Sequence, residues 1–428
     1  MKKTALAYAV GLSTLSAGLV TSTATRAEFF EDSKASLQMR NFYMGRDYRQ
    51  DDSGRQPAVP GSGRMSEWAQ GFILRYESGF TEGPVGFGVD AIGTLGIKLD
   101  SGRGSSGTGL LLRDAETKRA QDSYGDLHAA AKIRYSKTTL RLGSYDKRLP
   151  MLQGNDSRLL PTVFQGTMVH SQEIAGLDLD AGRISRVNAR DSQDYEALSV
   201  TSGNRRNIKV SDGNESTEFN IAQSAYRWND QLSTTLALGE LQGLYRQTML
   251  NALHTLPLGD KRSLVTDIRY ARSTDDGNSN VDNNAFGIMS TYKIGFHAVG
   301  LGYQAMTGET GFAYLGGTDP FLLNFVQVND FANKDEKSWQ VRYDYNFTGI
   351  GLPGLTFMTR YLSGDNVDLG ASRSEGREWE RDIDIAYFVQ DGPLKNVSLR
   401  WRNAATRSNF ANSTDENRLI LSYSLPIW

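Results

Sequence analysis

Short segments in which apolar and polar residues alternate recur along most of the chain. Residues 338–347 read SWQVRYDYNF, and every second position from Trp339 to Phe347 is apolar or aromatic while the positions between them are polar. The final segment, RLILSYSLPIW, alternates in the same way. Side chains of a strand point to opposite faces with a period of two, so this pattern predicts β-strands with one apolar and one polar face. Sustained helical periodicity is not seen in any segment.

The connectors between these segments alternate between long and short. Long polar connectors such as 100–122, 147–176 and 308–336 are separated by tight turns such as 136–138 and 229–230. This asymmetry is typical of outer-membrane barrels, which have short periplasmic turns and long external loops. We therefore predict an all-β fold, a transmembrane antiparallel β-barrel of about 18 strands. Because 177–200 is hard to divide, a count of about 16 stays open. A solenoid or propeller would require a fixed sequence repeat, and none is found.

The N-terminus predicts export. Lys2 and Lys3 precede an uncharged stretch, and small residues occupy Thr25 and Ala27, as in a signal peptide cleaved after residue 27. Residues 28–428 would then form the barrel, with the outer membrane of a Gram-negative cell as its location. Beyond residue 27 there is no apolar run of roughly 18 residues, the minimum for a membrane helix.

Composition agrees with a barrel that has a wet interior. Hydrophobic residues make up only 39% of the chain, and there is no cysteine to form disulfides or thiolate sites. Aromatic residues occur near segment ends, where an interfacial girdle would need them. Examples are Phe42, Tyr43, Trp68, Trp228 and Tyr292. We expect outer-membrane lipids as neighbours, no cofactor, no metal and no nucleic acid.

The polar face of the predicted strands carries many arginines. The chain has 33 Arg against 14 Lys. The alternation places the following on the inner face: Arg40, Arg342, Arg360, Arg400, Arg402 and Arg418. Shifting a strand by one residue would expose its arginine to lipid, at a cost of ~2–4 kcal/mol at the midplane. Two interpretations stay open. The arginines could pair with acids of neighbouring strands (Asp267, Asp344, Asp382 and Asp384), or they could form a column that guides an anion.

The connector 147–176 contains two prolines and several apolar residues, which favours folding into the lumen. We predict that this connector narrows the pore and places Arg158 at the narrowest point, with Asp156 and Glu173 nearby.

Several segments resemble the OprD-type substrate-specific channels of Pseudomonas and its relatives. The segments that carry the resemblance are FFEDSKASLQMRNFY from Phe29, SRLLP from Ser157, EIAGLDLDAGR from Glu173, EKSWQVRYDYNF from Glu336, GLPGLTFMTRY from Gly351, VQDGP from Val389 and the terminal RLILSYSLPIW. The resemblance implies an 18-stranded barrel with a loop-made constriction and a basic ladder. It further implies that Arg158 is the constriction arginine and that Arg360, Arg400, Arg402, Arg418 and Arg40 form the ladder. Asp330 would be the loop acid that faces a substrate amine.

Such channels take up small carboxylates by diffusion, as monomers or loose homotrimers. The stretch from Glu173 is more similar to the branch for aromatic acids, such as benzoate or vanillate. A channel for basic amino acids and a general diffusion porin are the alternatives. A serine peptidase using, for instance, His170 and Asp178 is a remote alternative because no nucleophile motif accompanies them. We expect no enzymatic activity.

Overall fold

A computed structural model describes residues 29–49, 63–102, 104–201, 206–211, 213–370 and 374–428. The signal peptide predicted at residues 1–27 lies outside the described residues. The strands are β1 Lys34–Arg49, β2 Arg64–Glu77, β3 Val85–Asp100, β4 Ser123–Tyr135, β5 Thr138–Tyr145, β6 Val163–Ser171, β7 Leu177–Asn188, β8 Phe219–Arg227, β9 Leu232–Leu241, β10 Tyr245–Pro257, β11 Arg262–Asp275, β12 Asp282–Ile294, β13 His297–Thr307, β14 Lys337–Asn346, β15 Leu355–Val367, β16 Gly376–Phe388, β17 Val397–Ser408 and β18 Ser413–Pro426. One short 3₁₀ turn, Phe347–Ile350, follows β14.

The strands form a closed antiparallel ring, which confirms the predicted barrel and the count of 18. Each strand pairs with its chain neighbours, and β1 pairs with β18 from Ser36 opposite Pro426 to Arg49 opposite Ser413. Closure leaves no sheet edge with unpaired backbone groups, which a barrel in lipid requires. Within the described ranges, no helix is long and apolar enough to span a membrane.

The connectors differ in length between the two ends of the barrel. At the end remote from the chain termini lie 101–122 (loop L2), 146–162 (loop L3), 189–218 (loop L4) and 308–336 (loop L7). The other end carries short turns, such as 136–137 and 295–296. By the barrel rule, the short turns are periplasmic and the long loops external.

The predicted connector 147–176 has the wrong limits. It contains strand β6, so the loop ends at residue 162. Inward-facing Phe164 and Met168 are buried in an apolar cluster, whereas outward-facing Gln165 and Thr167 are exposed. The other strands were predicted from apolar outward and polar inward side chains. Strand β6 has the opposite arrangement over these residues and was therefore missed.

Loop residues pack against the inner wall of the upper lumen and narrow it. A large apolar cluster joins L3, L4 and L7 residues (Leu152, Leu198 and Phe312) to the inner faces of strands β5 to β13. A second cluster packs Leu110 and Leu111 of L2 and Leu159 of L3 on the inner wall near β1 and β2. Phe42 belongs to this second cluster and is 1% exposed, so its predicted place in an outer aromatic girdle is wrong.

Candidate functional site: a constriction lined by arginines

Loop L3 is attached to the inner wall by Arg40 of β1. The Nη1 atom of Arg40 donates to Asp156 Oδ1 at 2.8 Å and to the carbonyl oxygen of Arg158 at 2.5 Å. Arg40 is inward-facing as predicted, but it is buried by the loop. Its charge is therefore used mainly to hold L3, and little of the side chain is left for a passing solute.

Arg418 of β18 joins the two loops that enter the lumen. Its Nη1 donates to the carbonyl oxygen of Ser157 in L3 at 3.3 Å, and its Nη2 donates to that of Gln327 in L7 at 3.0 Å. Its Nε donates to Glu416 Oε1 at 2.6 Å, while the other oxygen of Glu416 accepts from Arg46 Nε at 2.5 Å. The Arg418 side chain is 1% exposed, so this predicted ladder residue lies within the structure that forms the constriction.

The side chain of Arg158 lies among other guanidinium groups. Its Nη1 donates to the hydroxyl of Ser157 at 3.0 Å, and Arg190 of L4 donates to the same hydroxyl at 3.2 Å. Burial, reinforced by the neighbouring charges of Arg418 and Arg190, lowers the pKa of Arg158 well below its usual value. The guanidinium nevertheless keeps its charge, because the lowering starts from an unperturbed pKa above 12, far from neutral pH.

Positive charge exceeds negative charge at this level of the pore. The guanidinium groups of Arg46, Arg158 and Arg418 interact with one deeply buried carboxylate, Glu416, and Arg190 lies close to Arg418 and Arg46. Asp156 and Asp191 lie at the margins of the group. A confined, low-dielectric opening of this kind attracts anions and repels cations.

Towards the periplasmic end, the predicted arginines are paired with acids. Arg342 contacts Asp344 at 2.7 Å and Arg360 contacts Asp382 at 2.7 Å. Arg400 and Arg402 both contact the carboxylate of Asp384, at 2.5 and 3.1 Å. These pairs involve three of the four acids named from sequence, and Asp267, the fourth, pairs with Arg269. Two of the pairs, however, lie within one strand and not between neighbouring strands.

Pairing does not remove the exposed cations from this wall. The side chains of Arg400 and Arg342 are 48% and 39% exposed, and Arg400 and Arg402 share a single carboxylate. A cavity of about 660 Å³ at this end is lined by Lys293, Arg342, Asp344, Asp384 and Arg400, among others. The wall thus combines features of both interpretations: it is a paired wall that retains accessible positive groups.

Asp330, predicted to face a substrate amine, has partners within the protein. It is 8% exposed, and its carboxylate accepts hydrogen bonds from the hydroxyl of Tyr314, at 3.2 Å, and from Arg206. Arg206 is stacked on the Tyr314 ring at 4.9 Å. This contact fixes one segment of L7 against L4. A substrate amine would have to displace Arg206 to reach Asp330.

Two other expected neighbours lie elsewhere. Glu173 accepts hydrogen bonds from Ser136 Oγ at 2.9 Å and from Lys137 N at 2.8 Å, so it caps a periplasmic turn and does not lie near Arg158. His170 contacts Asp180 at 2.8 Å instead of Asp178, because Asp180 is its partner across the β6–β7 ladder. Within the described ranges, no cluster of three or more His, Cys, Asp or Glu could hold a metal ion.

The structure adds residues that the sequence did not single out. Arg46 has the same inward parity as Arg40 in β1, so the period of two could have identified it. Glu416 could have been found in the same way from Arg418. Arg190 belongs to a loop without periodicity, and no signal in the sequence points to it.

An 18-stranded barrel, narrowed by its own loops and lined by arginines, defines an outer-membrane channel. The family model for "outer membrane porin, OprD family" matches residues 27–427, and the chain belongs to this family. Its place is therefore the outer membrane.

Individual relatives agree with the family. The chain is 37% identical over 407 residues to the porin-like protein GalP of Pseudomonas putida, covering 93% of each chain. The crystal structure of Pseudomonas aeruginosa OpdQ shares 55% identity with a TM-score of 0.86, covering 94% of this chain and 100% of that one. Pseudomonas aeruginosa OpdK, solved with vanillate, shares 38% identity with a TM-score of 0.84, over 94% and 100% of the two chains.

Proposed function

We propose that this porin takes up small carboxylates passively and selectively, and that aromatic acids such as benzoate or vanillate are its substrates. The observation that carries the proposal is the group of guanidiniums of Arg46, Arg158 and Arg418 around the carboxylate of Glu416, with Arg190 close to Arg418. An incoming carboxylate is attracted by the uncompensated charge of this group and exchanges part of its hydration for the N–H donors that remain accessible, such as those of the half-buried Arg190. Guanidinium groups bind carboxylates in a planar, often bidentate geometry, which adds selectivity to the attraction.

Release towards the periplasm requires binding that is weak and repeated. Arg400 and Arg402 share Asp384, so a substrate carboxylate competes there with a carboxylate already in place. This competition weakens each binding step, and a solute that enters can therefore also leave. The cavity of about 660 Å³ below has room for a small aromatic acid and its water.

The environment of Asp330 favours aromatic acids over basic amino acids. A basic amino acid needs an acidic group for its side chain, and the carboxylate of Asp330 is bound by Arg206 and Tyr314. An aromatic acid needs only the carboxylate-binding groups. The vanillate bound to OpdK, a relative of similar fold, points to the same class of solute.

Uptake of labelled benzoate and labelled arginine into liposomes carrying the purified barrel tests the proposal. We expect saturable benzoate uptake that unlabelled arginine does not reduce. The opposite preference would assign the channel to basic amino acids. Equal and unsaturable passage of both solutes would indicate a general diffusion porin.

A pair of matched variants tests the role of the arginines. Arg400→Gln removes an exposed lumenal cation, and Arg183→Gln removes a similarly exposed cation, 55% exposed, from the outward face. We expect Arg400→Gln to lower benzoate uptake and to shift ion preference towards cations, while Arg183→Gln leaves both unchanged. If both variants transport like the wild type, the lumenal arginine has no role in guiding the substrate.

A further inference from the structure

The outer surface of the barrel changes character near the long-loop end of strands β16, β17, β18 and β1. Lower on this surface the outward residues are apolar, as at Ile385, Trp401 and Leu421. Two to four residues nearer the loops they become charged or amide-bearing, as at Arg381 and Asn417. An outward arginine costs ~2–4 kcal/mol at the bilayer midplane but ~0–1 kcal/mol near the interface. The change therefore marks the boundary between hydrocarbon and the headgroups of the outer leaflet.

A groove of about 420 Å³ lies on this part of the outer surface. We call it the rim groove; it is lined by Arg49, Trp379, Arg381, Asn403, Ala405, Arg407, Asp415 and Asn417. The register shows that these residues share the outward face: Arg381 is opposite Ala405 and Tyr361, and Asp415 is opposite Ala405. None of them faces the lumen, so the transport route does not explain the groove.

Cations outnumber acids in the rim groove. Arg49 and Arg407 share the carboxylate of Asp415, at 2.9 and 2.7 Å, and Arg49 also lies 3.4 Å from Asp47. Arg381 donates to the neutral amide oxygen of Asn403 at 2.5 Å. Arg49 and Arg407 are 51% and 37% exposed, so their remaining N–H donors face outward.

The opposite side of the barrel provides an internal comparison. The outward arginines at the same height on β7 and β10 each have acids of their own. Arg183 contacts Glu218 at 2.8 Å, and Arg246 contacts both Glu240 and Asp276, at 2.8 and 2.6 Å. A polar band alone would explain both sides of the barrel. A groove of about 550 Å³ lies on that side too and is lined by Arg246 and Arg272, but Glu240, Asp276 and Asp282 pair with these arginines. The rim groove differs because its guanidinium groups outnumber its acids.

We propose that the rim groove binds the phosphate group of an outer-leaflet glycolipid headgroup. Guanidinium groups bind phosphate in the same planar, charge-assisted way as carboxylate, and basic pockets at the headgroup level of membrane proteins recognise anionic lipids in this way. Trp379 is opposite Arg407 on the neighbouring strand, and the Arg407 guanidinium lies over its ring, 5.6 Å from the ring centroid. It supplies an amphipathic ring of the kind found at membrane interfaces.

Binding of purified lipid A to the detergent-solubilised barrel tests the proposal. The probes are bis-phosphorylated lipid A, its dephosphorylated form and inorganic phosphate, and the readout is the bound mass in native mass spectrometry together with a titrated Kd. We expect the bis-phosphorylated form to bind saturably and the dephosphorylated form at least about tenfold more weakly. Inorganic phosphate at millimolar concentration should not compete, because it lacks the acyl chains that bring the headgroup to the groove. Competition by inorganic phosphate would make the groove a free-anion site and overturn the proposal.

Matched variants separate the rim groove from the general charge of the surface. Arg381→Gln/Arg407→Gln should weaken binding of bis-phosphorylated lipid A about tenfold or more, whereas Arg183→Gln/Arg246→Gln should leave it unchanged. Heat-modifiable migration on gels shows that each variant is folded. Benzoate uptake into liposomes free of lipid A should be equal in both variants. A negative result for lipid binding would therefore leave the proposed transport function untouched. Equal lipid binding by the two variants would refute the assignment. So would a rim-groove variant that changes the oligomeric state of the barrel but not its lipid binding.

Discussion

Replacing Arg418 with leucine should open the constriction. Arg418 and Glu416 have side chains that are 1% and 0% exposed, and the variant would leave Glu416 with Arg46 and Gln327 as its remaining side-chain partners. It would also remove the hydrogen bonds to the carbonyl groups of L3 and L7. Removing one partner of a buried ion pair costs about 3–5 kcal/mol when the other charge is left unpaired, and the contacts of Glu416 with Arg46 and Gln327 place this variant at the lower end of that range. A loss of about 3 kcal/mol in the contacts that hold the loops lowers the population of the loop-closed arrangement by a factor on the order of 10².

Single-channel recording in planar bilayers measures this effect. We expect Arg418→Leu to show a larger and noisier conductance than the wild type and uptake of benzoate that no longer saturates. The double variant Arg418→Leu/Glu416→Gln also breaks the ion pair between Glu416 and Arg46 and so removes the carboxylate that balances the remaining guanidinium groups. The double variant should therefore be less thermally stable than the single variant, and it should not recover the narrow conductance, which depends on the contacts with L3 and L7. Wild-type conductance in the single variant would refute the role of Arg418 as the link between the loops.

Three further changes have expected outcomes. Burial raises the pKa of Asp319 in L7 to about 6. Between about pH 4 and pH 6 the folded state therefore holds a proton that the unfolded state has lost. The free energy of unfolding should fall over this range as pH rises, by up to ~3 kcal/mol. Asp319→Asn should flatten that part of a melting-temperature profile against pH, and an unchanged profile would contradict the assignment. Asp90→Ala leaves Lys132 and Arg141 without the buried carboxylate that they contact at 2.8 and 2.7 Å, and it should lower stability by about 3–5 kcal/mol; gel shift against temperature measures this, and a shift as small as that of an exposed control, Asp260→Ala, would count against it. Arg206→Gln removes a partner of Asp330 and should raise the passage of labelled arginine relative to benzoate; an unchanged ratio would show that Asp330 has no influence on the choice of solute.

The strand register was predictable because it depends on a local period of two. Arg342, Arg360, Arg400 and Arg402 are inward-facing as predicted, since an apolar outward neighbour on each strand fixes the parity. The rule fails at β6, where the inner face packs against loops and becomes apolar.

The use made of each inward arginine was not predictable from the sequence. Arg400 and Arg418 have the same parity and chemistry, yet one is exposed to the lumen and the other is enclosed between L3 and L7. That difference is set by Ser157 in L3 and Gln327 in L7, which lie 261 and 91 positions away from Arg418 in the sequence. Contacts over such distances leave no local pattern in the sequence.

The pairing of β1 with β18 has a consequence for how this protein comes into existence. The strand synthesised last completes the ring that begins with the strand synthesised first, and Ala35 and Trp428 join the two ends through a backbone hydrogen bond of 3.2 Å. A chain that stops before Ser413 would leave β1 and β17 with unpaired backbone groups facing hydrocarbon. A premature stop codon even close to the end of the gene is therefore expected to abolish the channel altogether, with no shortened pore left in its place.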